Sequence, residues 1–186
     1  MTPSPKIIHL TREKISLSPL YLDTETTGIG PYDEICEIAI LDDDNKVLFE
    51  SFIRPTIPVT PAARAVNHIT EEQIENAPAF SDIYPEIFRI LFNRNIAIYN
   101  AEFDLRLIRQ TAAKYKTRIV SVDAFCVMRL FANYYGEYNK KTHDYRWKTL
   151  EFAGDFFDLD LPNSHRALDD CRLTRAVLHC MAGEKP

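Results

Sequence analysis

Apolar and polar residues change period several times along this chain, and each change predicts an element. PLYLDTET, residues 19–26, runs from apolar into acidic and reads as a buried strand entering the polar turn TTGIGPYDE. ICEIAIL and KVLFESFI are two strand-forming runs separated by Asp42-Asp43-Asp44-Asn45, which predicts a hairpin. Ala62 to Asn76 is rich in loop and helix-start signals, with Thr70-Glu71-Glu72-Gln73 as a capping box. In DIYPEIFRILF, Ile83, Ile87, Ile90 and Leu91 recur at helical spacing, and Pro85 is tolerable only near the first turn. IAIYN reads as a short buried strand, and AEFDLRLIRQTAAKY as a helix with Phe103, Leu107, Ile108 and Ala112 on one side. RIVSVDAF reads as another buried strand, and ALDDCRLTRAVLHC as a final helix with Leu168, Cys171 and Leu178 inward. Residues 1–18 read as a tail or a short strand over Ile7–Leu10. Three strands in a meander, then helix, strand, helix, strand and helices, imply an α/β domain with a mixed sheet flanked by helices. With no repeat or linker in view, residues 19–182 form one domain.

Composition agrees with that picture. Of 186 residues, 46% are hydrophobic and 26% charged, the balance of a soluble globular protein with enough apolar material for a full core. Cys36, Cys126, Cys171 and Cys180 are scattered, without a CxxC pair or clustered histidines, and read as reduced thiols rather than a zinc site or disulfide framework. The first twenty residues lack a signal-peptide core, and no run approaches the ~20 apolar residues of a membrane helix, so a cytoplasmic protein without a membrane partner is expected.

The net charge of −5 first argues against nucleic acid. Its distribution changes that reading. Residues 94–150 hold eleven Lys/Arg against five Asp/Glu, a balance of +6, which leaves −11 for the rest of the chain. A basic segment in an acidic protein is compatible with a phosphate-tracking groove or with an ordinary solvated face.

Three places carry candidate chemistry. Asp23 and Glu25 are one residue apart on a strand, so they share a face, ~7 Å apart along the backbone. Two like charges at the end of a buried strand are costly without something positive between them, and a hard divalent cation with oxygen ligands would serve. Taken alone, the pair is better explained as a solvated strand end, because two acids one residue apart occur often by chance. Asp104 lies near the start of a helix that follows a strand, where ligand sites form in such sheets, or where a carboxylate merely meets the helix dipole. His165 and Asp170, five residues apart, do not share a helix face, so His165 belongs just before the helix start, with Asn163 and Ser164 as cap residues. Spacing alone leaves Asp169 and Asp170 as alternatives.

Together these segments resemble the DEDD-type 3′→5′ exonucleases, in the subgroup that uses a histidine. The resemblance is carried by Asp23-Thr24-Glu25-Thr26-Thr27-Gly28, by Asn100-Ala101-Glu102-Phe103-Asp104, and by the H-x-A-x-x-D pattern of His165, Ala167 and Asp170. It implies a ribonuclease H-like fold with a mixed five-stranded sheet. It also implies two Mg²⁺ ions, replaceable by Mn²⁺, on Asp23, Glu25, Asp104 and Asp170, with His165 as proton acceptor. Two ions ~3.5–4 Å apart stabilise the attacking and leaving oxygens of an in-line displacement, and a histidine titrates near neutrality. The expected activity releases 5′-mononucleotides from the 3′ end of single-stranded or duplex DNA. RNA is the alternative substrate, and a non-catalytic nucleic-acid-binding module is the alternative class. The complete set of five residues argues against the latter, and the resemblance leaves a homodimer open.

Substrate contacts follow from the same resemblance. Thr26, Thr27, Asn100, Phe103 and Lys148 belong near the terminal nucleotide. The segment ARAVNHITEEQI resembles the loop that wedges near the terminal base, but its histidine comes one position late, as Asn67-His68, and Tyr99 stands where many relatives have histidine. Residues 133–150 interleave Tyr134, Tyr135, Tyr138, Tyr145 and Trp147 with Lys140, Lys141, Arg146 and Lys148. Stacking faces beside cations suit a single-strand surface, and a helical connection packed on the core explains them equally well.

Overall fold

The computed structural model describes residues 3–119, 121–162 and 164–185. Three strands form the predicted meander: β1 (Leu20–Thr26), β2 (Ile35–Leu41) and β3 (Val47–Phe52), each antiparallel to the next. The hairpin between β2 and β3 turns where Asp42 Oδ1 accepts the N–H groups of Asp44 and Lys46, with Asn45 at φ 65°. β4 (Asn95–Ile98) runs parallel to β1, and β5 (Asp123–Cys126) runs parallel to β4. The resulting mixed five-stranded sheet has the order β3-β2-β1-β4-β5.

Helices cover both faces. Leu20, Leu22, Ile38, Ile40, Ile96 and Ile98 point to one side, against α4 (Phe80–Leu91) and α5 (Ala101–Lys114). Tyr21, Ala39, Leu41 and Ala97 point to the other, against α6 (Val127–Tyr135), α7 (Leu150–Phe156) and α8 (Ala167–Ala182). Strand alternation therefore assigns Asp23 and Glu25 to the α8 side of β1, and Thr24 to the α5 side. Shorter pieces complete the chain: α2 (Pro61–Asn67), α3 (Glu71–Ile74) and the small hairpin β6 (Tyr138–Asn139) with β7 (Asp144–Tyr145). The capping-box reading of Thr70–Gln73 is visible at α3, where the Gln73 side chain accepts from the Thr70 N–H.

Three expectations need correction. The N-terminal segment is neither tail nor strand: α1 (Pro5–Ser16) is a helix, capped by Ser4, with proline at its start. Ile7, Thr11 and Ile15 form a stripe at four-residue spacing, and α1 packs on α8, where Arg12 Nε donates to the Ala182 carbonyl at 2.9 Å. The strand predicted over RIVSVDAF begins only at Asp123 and is half-exposed, because β5 is the sheet edge; Ile119 and Val122 still pack beneath α4 and α5, and Val120 lies outside the described residues. Finally, α4 starts at Phe80, so Pro85 is in its second turn. The carbonyl it leaves unpaired belongs to exposed Ser81, where solvent serves. Among the described residues, no helix is long and apolar enough to cross a membrane.

Candidate active site

The carboxylates converge at the C-terminal ends of β1 and β4. Asp23 and Glu25 leave β1 toward α8, whose first turn carries Asp170; carboxylate oxygens of these three lie within 4.8 Å of one another. Asp104 stands outside that group of three but acts on Asp23 by its charge, from the first turn of α5, held by Thr24, whose hydroxyl and backbone N–H donate to its Oδ1 at 2.8 and 3.2 Å. Alternation on β1 thus lets one strand offer Asp23 and Glu25 on one face and fix Asp104 with the other.

Burial and mutual repulsion act together on these acids. Burial, then the charges of Asp104, Asp170 and Glu25, push Asp23 well above the usual carboxylate range. Glu25 is pushed up to about 9 by burial, then by Asp170, Glu37 and Asp104. Burial is also the main cause that raises Asp104 and Asp170 to about 7, with the Thr24 hydrogen bonds opposing it at Asp104. Asp170 Oδ1 is buried without a hydrogen-bond partner among the described residues. Buried polar atoms are nearly always paired, and an orphaned carboxylate oxygen facing two further carboxylates fits a cation. An all-oxygen donor set suits a hard divalent ion.

Asp169 and Asp170 are told apart by their surroundings. Asp169 accepts from the Ser164 hydroxyl at 2.6 Å and pairs with Arg172 at 3.4 Å, so its oxygens are engaged outside the cluster. His165 is exposed, at φ 51°, two residues before α8 begins, as its spacing from Asp170 requires. The N-cap is Arg166 and not the predicted Asn163 or Ser164: Ser164 spends its hydroxyl on Asp169, and Asn163 lies outside the described residues.

Glu37 went unread in the sequence. It is the single charged residue within ICEIAIL, faces Glu25 across the β1–β2 ladder and is 2% exposed. Arg166 grips it in a bidentate pair, Nη2 to Oε1 at 2.6 Å and Nε to Oε2 at 3.1 Å, while the Ala167 N–H donates to Oε2 at 3.2 Å. One buried glutamate therefore caps α8 and fixes the residue between His165 and Asp170. An acid in the middle of an apolar strand was the signal.

The remaining residues divide by what they touch. Asn67 is buried against Glu25, donates from Nδ2 to the Thr26 carbonyl at 3.1 Å and accepts the Ile69 N–H. His68 is exposed and takes the left-handed conformation that ends α2, at φ 57°. The Thr27 hydroxyl donates to Asp33 at 2.7 Å and accepts the Glu34 N–H, so it is engaged within the turn. Asn100 precedes α5 and its carbonyl receives the Phe103 and Asp104 N–H groups. Phe103 is half-buried, with the Arg106 guanidinium 5.3 Å from its ring. Lys148 is drawn to Glu137 at 2.5 Å and over the rings of Tyr135 and Phe152. Tyr99 is buried and spends its hydroxyl on the Lys148 and Thr149 carbonyls.

Fold and site together define a ribonuclease H-like nuclease domain. The family model described as exonuclease, of the RNase T type, matches residues 20–178, so the chain belongs to that family, and it is a 3′→5′ exonuclease of the divalent-metal-dependent DEDD type. It is 34% identical over 170 residues to "Uncharacterized exonuclease CP81" of Escherichia phage 186, covering 88% of this chain and 87% of that protein. It is 29% identical over 166 residues to the DNA polymerase III subunit epsilon of Treponema pallidum, covering 86% of this chain and 74% of the subunit. Exonuclease X in complex with 5′-overhanging duplex DNA shares the fold, with a TM-score of 0.67 at 24% identity, over 88% of this chain and 90% of that one.

Proposed function

We propose that the protein removes nucleotides one at a time from the 3′ end of DNA, with Asp23, Glu25, Asp104 and Asp170 as ligands of two Mg²⁺ ions and His165 as proton acceptor. The observation that carries this reading is the unpartnered Oδ1 of Asp170, buried beside two further carboxylates that repel it. Bound divalent ions supply the charge that stabilises attacking and leaving oxygens at phosphorus. The chain's own residues do the rest. Thr24 holds Asp104 in place, and Glu37 with Arg166 fixes the start of α8 so that Asp170 faces the cluster. The His165 imidazole takes a proton from the attacking water as its oxygen bonds to phosphorus. The P–O3′ bond breaks, the leaving 3′-oxygen takes a proton from solvent to become the strand's new 3′-hydroxyl, and a 5′-mononucleotide leaves. A solvent-exposed imidazole suits that exchange, since it must both approach the substrate and lose its proton to water. DNA is preferred as substrate because the epsilon subunit belongs to a DNA polymerase and exonuclease X was seen on duplex DNA. Incubation of 5′-labelled DNA and RNA oligonucleotides with Mg²⁺ tests it. A stepwise ladder on DNA, absent in EDTA, is expected; internal cuts without a ladder, or a ladder confined to RNA, would sink it.

A further inference from the structure

The chain contains a single tryptophan, Trp147, and it is 53% exposed. It follows the β6–β7 hairpin, between Arg146 and Lys148, which both pair with Glu137. The backbone here is strapped to the sheet, because the Tyr99 hydroxyl donates to the carbonyls of Lys148 and Thr149 at 3.1 and 2.9 Å. Tyr99 lies just beyond β4 and two residues before α5, so the strap lies where the chain turns to deliver Asp104. Arg129 of α6 closes the link: its guanidinium carbon is 5.6 Å from the Trp147 ring, and its Nη2 is 3.2 Å from Glu102 in the first turn of α5. Glu102 and Asp104 are two positions apart, about 200° around the helix. Asp104 therefore faces inward to Thr24 while exposed Glu102 faces outward to Arg129.

Packing accounts for the other aromatics of the segment. Tyr134 and Tyr135 stack on buried Phe131, and Tyr138, itself 50% exposed, still closes edge-on against Tyr145 at 5.5 Å. It does not account for Trp147, a large ring left half in water and braced by a cation. An exposed aromatic face with a fixed guanidinium, within a stretch whose charge balance is +6, offers stacking for a base and a partner for its phosphate.

We propose that Trp147 and Arg129 form a stacking platform for a base of the substrate strand, on the 5′ side of the nucleotide being removed. This rests on the reading of the chain as an exonuclease of DNA and adds a subsite outside the acids. On this placement a lone terminal nucleotide at the acids would not touch the platform, whereas a longer strand would. Two substrates separate the cases: the p-nitrophenyl ester of thymidine 5′-monophosphate, which carries one nucleotide, and an oligothymidylate of about ten nucleotides. Trp147→Ala should raise KM for the oligonucleotide about tenfold, Trp147→Phe should restore most of the loss, and neither should change hydrolysis of the ester. As a second readout, Asp170→Asn protein in Mg²⁺ should show tryptophan fluorescence quenched as oligothymidylate binds, and Arg129→Ala in that background should weaken binding and flatten its salt dependence. Equal losses on both substrates, an unchanged KM, or unquenched fluorescence while polarisation of a labelled strand reports binding would each overturn the platform. Failure of the underlying reading looks different, because wild-type protein then gives no stepwise 3′→5′ ladder from the oligothymidylate, and the platform falls with it.

Discussion

β1 and α8 lie against each other and carry a cluster of titratable groups at each end, and the two clusters are built on opposite terms. At the far end, Asp43 receives the Tyr21 hydroxyl at 2.7 Å and His179 Nε2 at 3.0 Å, while His179 Nδ1 meets Glu184 at 2.8 Å. Every acid there has a donor from within the chain. At the near end, Asp23, Glu25 and Asp170 crowd together, and the neighbouring Arg166 is already given to Glu37. Stability explains the first cluster. The second fits the proposed metal site, where a bound cation would supply what the chain withholds, because uncompensated buried carboxylates cost free energy.

Substitutions at the near end should trade activity for stability. Asp170→Asn or Asp23→Asn is expected to lower exonuclease activity by at least ~10³-fold, the scale of losing a major electrostatic contributor. The same change should raise the melting temperature of the metal-free protein, since a repelling charge is removed. Gel assays on labelled DNA and calorimetry in EDTA read the two effects. Activity within tenfold of wild type would remove these acids from the chemistry.

Glu37→Gln probes the support beneath the site. Losing the charge weakens the Arg166 pair and the Ala167 cap together, and a residue that holds others in position typically costs about 10–100-fold in activity or metal affinity. Steady-state kinetics over a Mg²⁺ titration measures it, and Glu37→Asp should lose activity as well, because the shorter side chain cannot keep both contacts. An unchanged kcat and metal midpoint in Glu37→Gln would leave Glu37 a purely structural residue. At the far end the balance reverses. His179→Ala should cost about 1.5–3 kcal/mol in urea unfolding, the range for hydrogen bonds to charged groups, with unaltered activity per folded molecule. A catalytic loss there would break the contrast between the ends.

How much of this was legible depends on the range of the interaction that fixes each residue. The meander was readable because each strand has its own period and Asp42–Asn45 its own turn chemistry. The pairing of Asp23 with Glu25 followed from strand alternation. Choosing Asp170 over Asp169 did not, because both sit in the first turn of α8; it rested on the H-x-A-x-x-D resemblance, and in the fold Ser164 and Arg172 engage Asp169 while Asp170 joins Asp23 and Glu25. Glu37 was hidden for a related reason: its partners Arg166 and Ala167 lie about 130 residues away in sequence, and no local pattern announces such a pair. The N-terminal helix was missed because its stripe of Ile7, Thr11 and Ile15 has a polar middle, which becomes apolar in effect only when the Thr11 hydroxyl donates back to the Ile7 carbonyl at 2.8 Å.

A pH titration sharpens the comparison without altering a residue. Glu25 sits at about 9, and Asp104 and Asp170 at about 7, in the metal-free fold. The same acids titrate near ~4 in an unfolded chain. With folded values above unfolded ones, the native state binds more protons in between. The stability these groups contribute is therefore fully present below ~4 and is lost as pH rises through 7 and then 9. On the proposed reading divalent ions replace those protons, so metal binding should strengthen over the same window. The melting temperature in saturating Mg²⁺ minus that in EDTA should then grow by a few degrees from about pH 5 to about pH 9, since 1 kcal/mol moves a chain of this size by about 2–4 °C. Taking the difference cancels groups that titrate alike in both forms. Asp170→Asn should flatten the curve and His179→Ala should leave its shape alone. A difference that stays constant with pH would mean the near-end acids are already ionised without metal, and the two ends of β1 and α8 would then differ in their partners but not in their charge.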